Sequence, residues 1–481
     1  MRKRFDQRLA AVLAKSERES LLVVVAGLYA CGVVARLPSD QLRQDGWLAL
    51  VGGRFVAHAG LPSTDWLTAW TSGVHWIDQQ WLAQLILFHL YGIGGLRLVM
   101  VTHVVLLTLA LALALGAARW RGGSPRSVVL IAMPALLTIF LWAQLRTQSF
   151  AYVLFVCIAW LLIADARMPS RRVFLVFPFL ILWANLHGSV LLGAALVSLR
   201  GVLLLRRAPR TRGALLTIAP FLCLFASPYG LALVGYYRDT AFNPSFARLI
   251  TEWQRSTPSL LTAWFYVLGF VAIWLLGRYR SRITTFETLA LLATFVAGML
   301  TLRNTVWFGY LALMVLPTPL RHSLSADVAP RRSPVPRALV AAMCAVVVAV
   351  TAIAASRGNA WYEGRAYPDS AAEAVAVAAR AQPSARIFAD ISYADWLLWK
   401  EPQLAGRVAY DARLELLDRR RLEQLYNWTG RIGSDWQAAI RGSELLVLDR
   451  RDAPSPSALP GDVRQVYSDR NITVFLRTGL S

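Results

Sequence analysis

Residues 41–95 of the chain read QLRQDGWLALVGGRFVAHAGLPSTDWLTAWTSGVHWIDQQWLAQLILFHLYGIGG, a loop between apolar segments at about 20–38 and 96–118. A membrane-spanning helix needs about 20 mostly apolar residues, and both flanking segments meet this requirement. Within the loop, the apolar stretch 81–92 is too short to cross, which indicates an interfacial or re-entrant helix. The segment 45–59 is expected to lie as a helix along the membrane surface, and tryptophans suit that boundary. The loop tryptophans are Trp47, Trp66, Trp70, Trp76 and Trp81.

The composition is that of an integral membrane protein. The 481 residues are 56% hydrophobic and 16% charged, whereas soluble domains carry about 25% charged residues. The net charge of +22 would suit a nucleic-acid-binding protein, but the basic residues lie in short loops between apolar segments, so no nucleic acid is expected as a partner. All four cysteines lie inside apolar segments without CxxC spacing, which predicts neither disulfides nor a zinc site.

The basic loops predict the topology. Every second loop is rich in arginine, and such loops face the cytoplasm. About 11 spans and a cytoplasmic N-terminus follow, with the tail from residue 357 on the opposite side. The basic clusters lie at 2–18, 119–126, 167–172, 206–212, 278–282 and 321–337. The predicted spans are 20–38, 96–118, 127–143, 149–165, 172–184, 188–205, 214–234, 259–277, 284–301, 304–320 and 337–356.

The opposite, external loops hold nearly all the unusual polar residues of the membrane body. The candidate site residues are Asp45, Asp78, Gln79, Arg146, Gln148, Asn185, His187, Tyr229, Glu252 and Arg303. Arginine pairs with phosphate as a planar fork, and a nearby carboxylate can act as a general base or hold a metal. We therefore expect five of them to converge on one cavity at the outer boundary of the membrane, namely Asp45, Arg146, His187, Glu252 and Arg303.

Each candidate also has a simpler interpretation. Asp45 can be a solvated loop acid, and Asp65 and Asp78 can be helix caps. Arg146 and Arg303 can extend from span ends toward water, and His187 at a helix break can be a hydrogen-bonded structural residue. Whether these residues line one cavity decides between a shared site and these separate roles.

The tail, residues 357–481, predicts a small α/β domain. Expected strands are RIFAD (386–390), RVAYD (407–411), ELLVLD (444–449) and NITVFL (471–476), with helices near 370–381 and 417–441. Four charged residues lie at strand or loop ends, where such folds place ligands, although ordinary surface charge is the favoured explanation. These are Asp390, Asp395, Asp411 and Arg413.

A long first external loop, with an acid just past the first span and a short apolar helix ending in Gly and Arg, resembles the GT-C superfamily of membrane glycosyltransferases. The resemblance is carried by QDGWLALVGGRFVAHAGLPSTDW, WIDQQWLAQLILFHLYGIGGLR, LRTQSFAY, WANLHGSVLLG, SPYG and TEWQ, and is greatest to a bacterial branch with a small external tail. It implies that Asp45 is the loop acid used as base or metal ligand. The chain departs from the usual paired acids, since Gln44 precedes Asp45, and has Leu48-Ala49 where the branch often shows His-Leu.

The expected fold is therefore a polytopic α-helical membrane protein of about 11 transmembrane helices, GT-C-like over residues 1–356, with a C-terminal α/β domain at 357–481. The resemblance implies a sugar donor on polyprenyl phosphate and a glycan, lipid or protein acceptor outside the bacterial inner membrane. It allows a divalent metal, Mg²⁺ or Mn²⁺, and implies no other cofactor. Two other functions remain open, a transporter or flippase of a lipid-linked or polar substrate and a non-catalytic envelope scaffold.

Overall fold

The computed structural model describes residues 20–38, 42–206, 210–241, 243–324, 337–364 and 366–478. They form a helical body and one small sheet near the C-terminus. In chain order the helices are α1 (Ser20–Ala35), α2 (Gln44–Ala59), α3 (Trp81–Trp120), α4 (Pro125–Phe140), α5 (Gln148–Arg167), α6 (Val176–Leu186), α7 (Val190–Leu205), α8 (Arg210–Cys223), α9 (Leu233–Ala241), α10 (Pro244–Leu249), α11 (Ala263–Arg278), α12 (Thr285–Leu300), α13 (Thr305–Val315), α14 (Pro317–Ser323), α15 (Arg337–Ala355), α16 (Asn359–Glu363), α17 (Asp369–Ala381), α18 (Ile391–Lys400) and α19 (Arg419–Gly430).

The helical body agrees with the expected fold class. Within the described ranges, α3 and α5 are long and apolar enough to cross a membrane, and six further apolar helices are shorter. These six are α1, α4, α7, α11, α12 and the part of α15 from Val340 to Ala355. The number of spans, predicted at about 11, stays a prediction.

Helix α3 joins the short apolar stretch 81–92 to the predicted span 96–118 across a break. Gly94 and Gly95 leave helical geometry, and Gly95 adopts a φ of 63°, a left-handed conformation that glycine tolerates best. Asn359 fixes the break, since its Oδ1 accepts from the Leu96 amide at 2.9 Å, and a Cβ on Gly95 would lie 2.6 Å from that oxygen.

Helix α8 is shorter than the predicted span 214–234, because it ends at Cys223. Fourteen helical residues rise only about 21 Å, less than the roughly 30 Å of a bilayer core. Ser227-Pro228 and Gly230, with a φ of 49°, interrupt the chain before α9 begins at Leu233. Helix α8 instead packs closely along α7, where a Cβ on Gly201 would lie 2.5 Å from the Thr217 amide nitrogen.

The basic loops that the structure describes meet at one end of the body, whereas the cluster at 2–18 lies outside the described residues. There the buried carboxylate of Glu287 binds Arg121 at 2.7 Å and Arg167 at 3.0 Å, which joins three of these loops. Asp165 is also buried and binds Arg200 at 2.9 Å, together with Arg212. The contacts agree with the grouping of these loops on one side, whereas their orientation relative to a membrane stays a prediction.

The C-terminal part forms a four-stranded sheet with the order β1-β2-β4-β3. The strands are β1 (Ile387–Ala389), β2 (Leu445–Asp449), β3 (Asp462–Ser468) and β4 (Ile472–Thr478). Strands β1 and β2 are parallel, and the other pairs are antiparallel. The expected strands at 386–390, 444–449 and 471–476 are present. The expected strand at 407–411 is reduced to one bridge between Val408 and Ile387, because this segment turns to contact the first loop.

The first loop is built into the C-terminal domain. The Ala69 and Trp70 amides donate to the carbonyls of Val408 and Ala409 at 2.7 and 2.9 Å. Arg413 is 2% exposed, binds Asp65 at 2.9 Å and Asp411 at 2.6 Å, and lies 4.2 Å from the centre of the Trp76 ring. Reading Asp411 and Arg413 as surface charge is therefore wrong. Asp395 is fully buried as well.

Helix α2 is present as predicted, but it does not lie on an exposed surface. Ten of its sixteen residues are buried, and it packs between α3 and α18. Arg54 donates to the carbonyls of Leu398 and Trp399, at the end of α18, at 2.5 and 2.9 Å. Trp47 and Trp76 are buried in this region, which corrects their assignment to a membrane interface. The helix that begins beside Asp45 is therefore held by the C-terminal domain.

Candidate functional site

Asp45 lies in the first turn of α2, and its carboxylate contacts the loop between α4 and α5. Its Oδ2 is 2.8 Å from Nε of Arg146. Nη1 of Arg146 donates to Oε2 of Glu252 at 2.9 Å, and Nη2 donates to Oε1 of the same carboxylate. Arg146 is thus bound by two carboxylates that come from distant parts of the chain.

Glu252 and Arg303 lie on two neighbouring single turns. The turns Thr251–Trp253 and Leu302–Asn304 are joined by a hydrogen bond of 2.9 Å from the Leu302 amide to the Gln254 carbonyl. The guanidinium of Arg303 lies 4.7 Å from the centre of the Trp253 ring, a cation–π contact. No hydrogen bond or ion pair holds it among the residues that the structure describes. Arg303 is therefore a charged donor still available to an anion.

A cavity of about 560 Å³ opens between these groups. The helical body supplies most of its wall, and the C-terminal domain supplies Ile391, Ala412, Leu414 and Glu415. The polar and aromatic lining residues include Gln44, Asp45, Gln79, Gln80, Arg146, Thr147, Gln148, His187, Ser189, Tyr236, Tyr237, Glu252, Trp253, Arg303, Asn304 and Trp307. The size and mixed lining suit a ligand with polar and apolar parts.

The pKa values of three titratable groups in the cavity are shifted by their surroundings. Burial opposes the charge of Glu252, but Arg146 and Arg303 outweigh it and hold the pKa of this carboxyl below its usual value. Burial raises the pKa of Asp45, against the effect of Arg146. Burial, together with Arg303 and Arg146, lowers the pKa of His187 to about 3.

His187 is therefore a neutral hydrogen-bonding group at pH 7. The Ser189 amide donates to its Nδ1 at 3.1 Å, so Nδ1 is the acceptor and Nε2 carries the proton. His187 is therefore both a hydrogen-bonded residue at a helix break and a residue that lines the cavity.

The structure brings seven of the ten candidate residues to this cavity: Asp45, Gln79, Arg146, Gln148, His187, Glu252 and Arg303. The other three do not line it. Asp78 accepts from Nε2 of Gln84 at 3.0 Å, and burial raises its pKa to about 7. Asn185 accepts from Trp81 and donates to two carbonyls, and the Tyr229 hydroxyl donates to the Pro62 carbonyl at 3.2 Å.

Sequence reasoning missed Glu415, Tyr236 and Tyr237, which also line the cavity. Glu415 stands two residues after Arg413, a residue singled out in the tail, and this proximity is the one sequence signal for it. The tyrosines follow the SPYG stretch in α9. Nothing in the local sequence distinguishes them from ordinary interfacial aromatics.

The residues present do not fit a divalent metal. The guanidinium of Arg146 lies between the carboxylates of Asp45 and Glu252, where a shared cation would have to bind. Within the described ranges, no group of three or more histidine, cysteine, aspartate or glutamate residues could hold a metal ion.

Comparison with known proteins gives matches at the level of structure. No protein-family model matches the sequence, and no curated protein matches it either. Among solved structures, ArnT from Cupriavidus metallidurans in the apo state aligns with a TM-score of 0.52 and 15% identity, over 97% of this chain and 98% of that one. ArnT bound to undecaprenyl phosphate aligns with a TM-score of 0.50 and 14% identity, over 95% of this chain and 98% of that one.

The archaeal oligosaccharyltransferase AglB from Archaeoglobus fulgidus, solved with an inhibitory peptide and a dolichol-phosphate, aligns with a TM-score of 0.56 and 11% identity. The alignment covers 90% of this chain and 70% of that one. The chain therefore shares its fold with these structures, and the resemblance to the GT-C superfamily is confirmed at the level of the fold.

Proposed function

We propose that this chain, which has the GT-C fold, is a membrane glycosyltransferase that moves a sugar from a polyprenyl-phosphate carrier to an acceptor outside the bacterial inner membrane. The observation that carries the proposal is the environment of Arg303. This side chain is presented on Trp253 without a counter-ion among the described residues, in the same cavity as Asp45, Arg146 and Glu252. In two of the structural neighbours a polyprenyl phosphate, undecaprenyl or dolichol, is bound.

Arg303 is the proposed phosphate-binding group. Its guanidinium can donate two parallel hydrogen bonds to phosphate oxygens, and the Trp253 ring keeps it oriented. Arg146 is the second cation, and it reaches the phosphate only if Glu252 yields part of its double hydrogen bond. Both cations would stabilise the charge that develops as the phosphate leaves.

Asp45 is the proposed general base. An acceptor hydroxyl attacks the anomeric carbon, and the bond from that carbon to the phosphate oxygen breaks. The lipid phosphate leaves with the electron pair, and the hydroxyl proton passes to Asp45. The contact of 2.8 Å with Arg146 fixes the carboxylate, while the raised pKa keeps it basic enough to accept the proton.

Gln79 and Gln148 are proposed to bind the sugar. The side-chain oxygens of both residues are buried without a partner in the described part of the chain, which costs free energy unless a ligand donates to them. Sugar hydroxyls are suitable donors, and the Nε2 proton of His187 can bind a sugar oxygen. Asn185, Tyr229 and Asp78 are proposed to support this region from behind, through the hydrogen bonds described above.

The proposal is tested with two variants of the full chain. Asp45→Asn should abolish transfer, measured by mass spectrometry of envelope glycans in a complemented deletion strain, and should still bind undecaprenyl phosphate in native mass spectrometry. Arg303→Met should weaken that binding about 10- to 100-fold, the value of a charged hydrogen bond. Asp239→Asn and Arg238→Met, which change an exposed ion pair on α9, are the matched controls.

Full glycan synthesis by Asp45→Asn would remove Asp45 from the mechanism. Unchanged undecaprenyl phosphate binding by Arg303→Met would refute the phosphate site. A transporter or flippase would give a third result, with the lipid-linked sugar accumulating on the inner face of the membrane and no sugar transfer by purified protein.

A further inference from the structure

Glu415 is a carboxyl group that the C-terminal domain places in the cavity of the helical body. It lies on the single turn Leu414–Leu416, and Ala412 and Leu414 beside it line the same cavity. The mechanism proposed above does not use it. In the chain it is 370 positions away from Asp45, yet the charge of Asp45 affects its protonation.

The turn that carries Glu415 is fixed at its base. Arg413, two residues earlier, is bound by Asp65 of the first loop and Asp411 of its own domain, and all three side chains are at least 97% buried. The Ala412 amide donates to Oδ2 of Asp395 at 3.0 Å. A side chain held in this way projects into the cavity from a defined position.

The carboxyl of Glu415 has no ion-pair partner among the described residues. Burial raises its pKa to about 7, a hydrogen bond from its own backbone amide and the charge of Arg413 act in the opposite direction, and Asp411 and Asp45 raise it further. Its own charge in turn raises the pKa of Asp78, before α3, and of Tyr236 on α9. Arg413 is already committed to two aspartates, so Glu415 faces the cavity as a carboxyl without a counter-ion.

We propose that Glu415 binds the acceptor, as a specificity-determining carboxylate for the transferase proposed above, on which this inference rests. Above pH 7, or when a bound hydrogen-bond donor stabilises its charge, Glu415 is a carboxylate, which accepts hydrogen bonds and repels anions. The acceptor therefore presents hydroxyl or amino groups beside its reacting atom, and a phosphate or carboxylate there is excluded. The donor phosphate, by contrast, binds Arg303 on the turn Leu302–Asn304.

The division of the cavity supports this assignment. The groups that suit the donor, Arg303, Arg146 and the two glutamines, all come from the helical body. Glu415 is the charged group that the C-terminal domain adds to the lining. An acceptor that binds on the side of the C-terminal domain would therefore lie beside this carboxylate.

The test uses full-length protein in a complemented deletion strain and in detergent. Glu415→Gln should lower the glycan product about 10- to 100-fold, the value of hydrogen bonds to a charged group, and should let the lipid-linked sugar accumulate. Its binding of undecaprenyl phosphate, measured by native mass spectrometry, should stay within about twofold of wild type. Glu415→Asp, which keeps the charge, should recover part of the product. Glu423→Gln on α19, where Glu423 pairs with Arg419 in solvent, is the control.

Three results distinguish a failure of the role of Glu415 from a failure of the proposed glycosyltransferase function. Wild-type product with Glu415→Gln overturns the role of Glu415. Loss of undecaprenyl phosphate binding in that variant moves Glu415 to the donor site and also overturns it. If the wild-type protein itself binds no undecaprenyl phosphate and its deletion changes no lipid-linked sugar, the glycosyltransferase proposal fails, whatever Glu415 does.

Discussion

Replacing Arg413 by Met should release the first loop from the C-terminal domain. Met keeps most of the side-chain length but leaves Asp65 and Asp411 buried without their cation. Removing one partner of a buried ion pair costs about 3–5 kcal/mol. At 1.4 kcal/mol for each factor of ten, the local opening equilibrium should rise about 100- to 4000-fold.

Hydrogen–deuterium exchange by mass spectrometry measures this equilibrium in the intact protein. Exchange should accelerate in residues 62–76 and 409–416, which join the loop to the domain, while the helical body keeps its protection. Arg441→Met, which removes an arginine from the exposed pair with Asp435, should change exchange little, since exposed pairs contribute about 0–1 kcal/mol. The variant Asp65→Asn/Arg413→Met/Asp411→Asn should regain much of the protection, because it leaves no charge on any of these three side chains. Wild-type exchange in Arg413→Met would refute the view that this ion cluster holds the two parts together.

Two further changes test the pH dependence and the helix contacts. Asp78 has a pKa of about 7 in the folded protein, against an ordinary value of 3.8, so the folded state holds its proton more tightly than the unfolded state does. Its contribution to stability is therefore full below pH 4 and is lost as pH rises to 7. Asp78→Asn should be more stable than wild type by about 2–4 kcal/mol at pH 8 and equally stable at pH 4. A flat difference between the two melting curves from pH 4 to pH 8 would contradict this. Gly201→Ala should lower the melting temperature, since its Cβ would lie 2.5 Å from the backbone of α8. Gly235→Ala is the control, because a Cβ there would have no atom within 4 Å. Equal melting temperatures for the two variants would show that α7 and α8 move apart without cost.

The grouping of the site residues could be predicted from the sequence, because alternating basic loops assign the remaining loops to one side. Asp45, Arg146, His187, Glu252 and Arg303 lie in those remaining loops, and all five line one cavity. Their pairing could not be predicted. That Arg146 is bound by both acids, while Arg303 has no counter-ion in the described part of the chain, depends on contacts between residues more than 100 positions apart.

In the tail, local sequence patterns predicted most of the strands but not the contacts with distant parts of the chain. Apolar runs predicted three of its four strands, but the fourth, Asp462–Ser468, alternates weakly and was missed. Asp411 and Arg413 look like surface charge, because their burial comes from a loop more than 300 residues earlier. The span predicted at 214–234 was too long, since hydropathy continues through Ser227-Pro228 where the helix has already ended.

The resting site carries its own counter-ions, and this affects which anions can enter it. Asp45 and Glu252 already neutralise Arg146, so a mobile anion such as inorganic phosphate meets little net positive charge and can bind Arg146 only by displacing a carboxylate, whereas Arg303 has no counter-ion among the described residues. A phosphate on a lipid chain is confined to the plane of the bilayer, so its effective concentration at the opening is far above that of a dilute solute. For the proposed donor, this confinement to the bilayer would offset the low net charge of the cavity, an advantage that soluble phosphate lacks.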